Sequence, residues 1–195
     1  MVRAWVYLPT RILAKVVLSP IFSLQVEQKR NLPDHQGVVL LPKHQRWEDI
    51  PLLGLAVPRP LHYVAKHELF ETALQSRYLR ALGGIPLNRM KPIRSKRSFK
   101  EIREILAVGG TIVVFPEGTY YPGLMGPLRA GMIRFLLKWG EVPFVPVGIA
   151  YKKSMLRTRV RIRFGSPMLF KNYGTEQEFI RDVSEKIAFL SCLRH

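Results

Sequence analysis

The 195-residue chain has one cysteine, Cys192, so no disulfide forms within it and no cysteine-cluster metal site can be built. It also lacks the Gly-x-Ser-x-Gly elbow of a serine hydrolase, and Cys192, set among apolar residues near the C-terminus, reads as a packed thiol. A covalent acyl-enzyme therefore has no obvious nucleophile. Uninterrupted apolar runs of the length a spanning helix needs, about 18 residues, are absent. Acidic residues are scarce: 14 Asp and Glu stand against 31 Lys and Arg, a formal charge of +17. Such an excess calls for an anionic partner, whether nucleic acid, an anionic membrane, an acidic carrier protein or a phosphorylated substrate. Low hydrophobicity is also missing, since 47% of residues are apolar, and disorder is excluded.

What is present reads as a single α/β domain over residues 31–195, preceded by an apolar segment, residues 1–30. Trp5, Leu8, Ile12, Leu13, Val16 and Val17 in that segment are interrupted by Arg3, Arg11 and Lys15. The pattern suits an amphipathic stretch lying in a membrane interface, and equally a helix packed on the domain. Downstream, short apolar runs predict buried strands over Gly37–Leu41, Leu61–Ala65, Thr111–Phe115 and Pro143–Ala150. Helical patterns alternate with them near Glu48–Ala56, Leu74–Leu82, Ser98–Ala107 and Leu128–Trp139. Ser98 with Glu101, and Thr175 with Glu178, have capping-box spacing, the second ahead of a C-terminal helix. Alternating strands and helices predict a mixed, mostly parallel sheet covered by helices on both faces.

Basic residues concentrate in two places. Arg89, Lys91, Arg94, Lys96, Arg97, Lys100 and Arg103 crowd one loop and the helix after it. Arg157, Arg159, Arg161 and Arg163 alternate with Thr158, Val160, Ile162 and Phe164, describing a strand with one arginine face. Aromatics are few in these stretches and no nucleic-acid-binding motif accompanies them, so nucleic acid is not the expected partner.

Chemistry first suggests itself in Lys43-His44-Gln45-Arg46-Trp47-Glu48-Asp49, between a strand and a helix. On one continuous helix His44 and Asp49 would stand about 140° apart and could not meet. With His44 in the loop and Asp49 in the first helical turn they can, and the carboxylate would then fix the imidazole tautomer and leave the other nitrogen as a base. Phe115-Pro116-Glu117-Gly118-Thr119 sits at a strand end, where open α/β sheets bind ligands. Gly83-Gly84-Ile85-Pro86-Leu87-Asn88-Arg89 leads a glycine pair into an arginine suited to a phosphate. Val142 to Ile149 is an apolar strand containing two prolines.

In this order, these four blocks resemble those of the glycerolipid acyltransferase superfamily, lysophosphatidic acid acyltransferase type, over about Leu40 to Ala150. The blocks are His-x4-Asp at His44 and Asp49, then a glycine-to-arginine block at Gly84 to Arg89, then Phe115 to Thr119, then Pro143 to Gly148. The resemblance implies transfer of a fatty acyl group from acyl-CoA or an acyl carrier protein to the hydroxyl of a lysophospholipid, most simply 1-acylglycerol-3-phosphate, at a membrane surface. Other implied acceptors are glycerol 3-phosphate or another lysolipid or alcohol. No cofactor beyond the acyl donor is implied. His44 would be general base and Asp49 its partner, while Arg89 would hold the acceptor phosphate. Glu117, Gly118 and Thr119, with Gly84 and Arg129, would shape the acceptor site. A peripheral or monotopic place on the cytoplasmic face of a membrane, held by anionic lipids, is expected. Two positions depart from the family pattern: Tyr120 stands where arginine often follows the third block, and Asn88 where an acidic residue is common.

Overall fold

In a computed structural model, residues 2–88, 95–139 and 141–193 are described. The strands are β1 (Phe22–Glu27), β2 (Val38–Pro42), β3 (Leu61–Lys66), β4 (Gly84–Leu87), β5 (Thr111–Val113), β6 (Phe144–Lys152) and β7 (Thr158–Phe164). The helices are α1 (Ala4–Leu18), α2 (Asp49–Ala56), α3 (Ala73–Ala81), α4 (Lys96–Ala107), α5 (Gly131–Leu137) and α6 (Glu176–Leu190). The strands make one sheet in the order β1-β7-β6-β2-β5-β3-β4. β2 through β6 are mutually parallel, whereas β7 runs back against β6 and carries β1 parallel to itself. The mixed, mostly parallel sheet is the one expected.

β2 is buried along its whole length and shows why both faces are covered. Val39 and Leu41 point into a core with Ile102, Ile105, Leu136 and Phe179, supplied by α4, α5 and α6. Val38 and Leu40 point the other way, onto Leu18, Leu52 and Leu53 from α1 and α2. Period-two alternation therefore feeds two cores from one uninterrupted apolar run.

Several boundaries moved. β1 and β4 are strands that the apolar patterning did not separate from their surroundings. Residues 1–30 thus comprise a helix and an edge strand, joined to β7 by the register Phe22↔Thr158 to Glu27↔Arg163. Ser98 does not cap α4: it lies inside the helix, and its hydroxyl donates to the Pro86 carbonyl at 2.5 Å, tying α4 to β4. Thr175 does cap α6, accepting from Glu178 N at 3.1 Å, while the Glu178 carboxylate reaches back to Gly174 N. α5 starts three residues after the predicted Leu128, because Arg129 N is held by the Pro116 carbonyl at 2.7 Å. Cys192 is exposed rather than packed, because α6 ends at Leu190 and the chain turns outward through a positive φ of 57° at Cys192.

Candidate active site

β2 ends at Pro42 and α2 begins at Asp49, leaving Lys43 to Glu48 as the connection at the carboxyl end of the sheet's central strand. His44 lies in that loop and Asp49 is the first helical residue, which folds the pair together. His44 Nδ1 and Asp49 Oδ2 are 3.1 Å apart. The same oxygen accepts from Gln45 N at 2.6 Å and Arg46 N at 2.8 Å, and Oδ1 accepts from the Tyr151 hydroxyl at 2.6 Å. Asp49 is wholly buried, and among the described residues no lysine or arginine pairs with it. Backbone N–H groups, a hydroxyl and the N-terminal end of α2 carry its charge instead. Accepting at Nδ1, Asp49 fixes the proton there and leaves the Nε2 lone pair as the base. The ring keeps 10% exposure, lying stacked on Phe115 with centroids 3.8 Å apart and edge-on to Tyr120 at 4.4 Å. Tyr120 thus makes a wall for the imidazole.

A second carboxylate grips the loop from behind. Glu117 is buried, and both its oxygens accept from Lys43 Nζ at 2.8 Å. Its Oε2 also accepts from His44 N and its Oε1 from Gly126 N, each at 2.8 Å. Lys43 Nζ completes its bonds on the His44 and Tyr121 carbonyls. Desolvation pulls the Lys43 ammonium below the usual lysine range, with Glu117 acting against that fall. Tyr121 N donates to the His44 carbonyl and Gly123 N to the Gln45 side chain, so residues 121–126 are stitched across the His44 loop. Gly126 is required there, because a Cβ would sit 2.2 Å from the Tyr121 ring.

The remaining predicted residues separate. Gly118 and Arg129 border one cavity of about 530 Å³, with Asn88, Lys96, Phe99, Val114 and Phe115 among its walls. Thr119 is half-buried in the turn after Gly118. Glu117 takes part through His44 and Lys43. Gly84 opens β4 beside the Leu79 carbonyl and belongs to a different cavity, an apolar one of about 300 Å³ between α1, α2 and β3. Arg89 lies outside the described residues. The sequence reading missed Tyr151, Gln45 and Lys43. Tyr151 comes from β6, and burial, reinforced by the Asp49 charge, raises its hydroxyl above the ordinary tyrosine range, so it stays a donor. A tyrosine closing the Val-Pro-Val strand on its Asp49-facing side was the signal available.

A family model described as acyltransferase matches residues 23–150. A 1-acyl-sn-glycerol-3-phosphate acyltransferase of Bacillus subtilis (strain 168) is 30% identical over 159 residues, 79% of this chain and 78% of that protein. A chloroplastic 1-acyl-sn-glycerol-3-phosphate acyltransferase of Brassica napus is 28% identical over 136 residues, 69% of this chain but 39% of its own length. The crystal structure of the 1-acyl-sn-glycerophosphate (LPA) acyltransferase PlsC from Thermotoga maritima superposes with a TM-score of 0.73 at 27% identity, covering 95% of this chain and 78% of that one.

Proposed function

The chain belongs to the acyltransferase family, and on that premise we propose that it acylates the free hydroxyl of a lysophospholipid, with 1-acylglycerol-3-phosphate as acceptor and phosphatidic acid as product. The observation that carries this reading is the buried His44–Asp49 pair, 3.1 Å apart, at the carboxyl end of the central strand. His44 Nε2 takes the acceptor's hydroxyl proton as its oxygen attacks the thioester carbonyl. Asp49 stabilises the imidazolium so formed. The tetrahedral adduct collapses, the C–S bond breaks, and the imidazolium returns its proton to the departing thiolate. No acyl-enzyme is needed.

The Gly118–Arg129 cavity suits the acceptor, since Arg129 and Lys96 offer cations to a phosphate above walls of Phe99, Phe115 and Val114. The apolar cavity beside α1 suits an acyl chain, with Tyr63, Leu55 and Leu79 in its walls. Among the described residues no helix is long and apolar enough to cross a membrane. Peripheral attachment to an anionic bilayer is the reading we favour. The outer face of α1 exposes Trp5, Ile12, Leu13 and Val16, and the β6–β7 hairpin tip exposes Met155 and Leu156 beside Lys153 and Arg157. Trp47, three residues from the base, is 61% exposed.

The test is purified protein with a panel of lysolipids and glycerol 3-phosphate, offered with acyl-CoA and with acyl carrier protein, read by lipid mass spectrometry. Fastest turnover of 1-acylglycerol-3-phosphate is expected; a preference for glycerol 3-phosphate or for a non-phosphorylated alcohol would reassign the acceptor. Leu13→Glu with Val16→Glu is expected to weaken sedimentation with anionic vesicles by about tenfold or more, given the cost of moving charges into the interface. Undiminished sedimentation would place the membrane contact elsewhere.

A further inference from the structure

Arg157 and the three arginines of β7 look equivalent in sequence, but the fold gives them different tasks. Arg157 donates to the Ser19 carbonyl at 3.2 Å, fixing the end of α1. Arg163 pairs with Glu27 of β1 at 2.8 Å. Arg159 and Arg161 form no ion pair with any described carboxylate, and neither does Lys152, which stands opposite Arg159 in the β6–β7 register. Arg161 Nε is buried without a hydrogen-bond partner, although its Nη2 touches Cys192 Sγ at 2.8 Å. This is a concentration of positive charge that the fold leaves unspent.

The surface beneath these side chains is unusual for this sheet. β7 turns Val160 and Ile162 onto the α1–α2 core, so Arg159 and Arg161 lie on the face that α6 covers elsewhere. That helix ends on Gly148, where a Cβ would lie 2.3 Å from the Leu190 backbone. Beyond that point Ala150, Lys152, Arg159, Arg161 and Gln25 are left on an uncovered strip, which borders a cavity of about 440 Å³. Gln45 and Tyr151 share its walls, and they are the neighbours of His44 and Asp49.

We propose that Lys152, Arg159 and Arg161 hold the phosphate of the phosphopantetheine thioester donor. The inference rests on the acyl-transfer reading and locates the donor within it. Sheet order makes the geometry consistent. The Gly118–Arg129 cavity lies toward β5 and β4, and the cationic strip toward β6 and β7, with β2 and its histidine between them. Acceptor hydroxyl and thioester carbonyl thus approach one base from opposite sides. Both acyl-CoA and acyl carrier protein present a phosphate at the end of the pantetheine arm, and guanidinium groups bind phosphate through paired N–H donors.

Cys192 lines the same cavity and is the chain's single cysteine, so its alkylation reports occupancy without turnover. In the absence of acceptor, butyryl-CoA is expected to slow iodoacetamide modification of Cys192, and butyryl-pantetheine, which has no phosphate, to leave it unchanged. Lys152→Gln combined with Arg159→Gln, both at exposed positions, is expected to abolish that protection. With acceptor present, the double variant should raise the donor KM by about tenfold or more, the usual loss for charge-assisted bonds to a phosphate. A rise with acyl-CoA and acyl carrier protein alike assigns the site to the shared pantetheine phosphate, and a rise with acyl-CoA alone to the nucleotide phosphates. Equal protection by butyryl-pantetheine, or an unchanged donor KM for both donors, overturns the proposal. Protection of Cys192 by butyryl-CoA in a protein that transfers no acyl group would keep the site and refute the reaction.

Discussion

Two buried carboxylates hold the same histidine loop, and they are held in opposite ways. Asp49 accepts two backbone N–H bonds and a tyrosine hydroxyl and bonds the imidazole, and among the described residues it pairs with no lysine or arginine. Glu117 is neutralised by Lys43 and, among the described residues, otherwise accepts from backbone alone, at His44 N and Gly126 N. On the proposed mechanism Asp49's charge is available to the imidazolium, whereas Glu117's is already paired with Lys43. On the proposed reading, one carboxylate serves the chemistry and the other holds the His44 loop in place.

Amide substitutions separate the two. At Asp49 an amide nitrogen can occupy the Oδ1 position, because the Tyr151 hydroxyl can rotate from donor to acceptor. Asp49→Asn should then fold normally and lose on the order of 10⁴-fold in kcat, the scale seen when a base loses its orienting carboxylate. At Glu117 every partner is an obligate donor, so one amide N–H must face an ammonium or a backbone N–H. Glu117→Gln should cost about 3–5 kcal/mol of stability in denaturant unfolding, with activity falling as the loop loosens. If the two variants traded effects, the comparison would be inverted. Tyr151→Phe removes one bond to Asp49 and leaves the others, so a loss of about 1–2 kcal/mol and a modest drop in kcat are expected. An inactive Tyr151→Phe protein that is fully folded would instead place that hydroxyl at the reacting atoms.

The same contrast explains what could be read from the sequence. The His44–Asp49 pair was legible from its place after a buried strand and ahead of three further family-like blocks, since its five-residue spacing alone says little. Strands β2, β5 and β6 were legible from apolar runs, since burial on both faces removes polar interruptions. β1 was hidden because Phe22–Glu27 lies in a segment already apolar for other reasons, and only pairing with β7 makes it a strand. Lys43–Glu117 and Tyr151–Asp49 join residues far apart in the chain, through sheet order and register that composition does not encode. Gly84 and Gly118 fall in neighbouring blocks of one motif set, yet face different cavities, because β4 enters the sheet from its far edge.

The most direct measurement of the central claim is acyl transfer to 1-acylglycerol-3-phosphate by His44→Gln protein, alongside its thermal melt and vesicle sedimentation. The account predicts no phosphatidic acid above background, with melting and sedimentation like those of the unmodified chain. Retention of turnover in folded His44→Gln protein would contradict it.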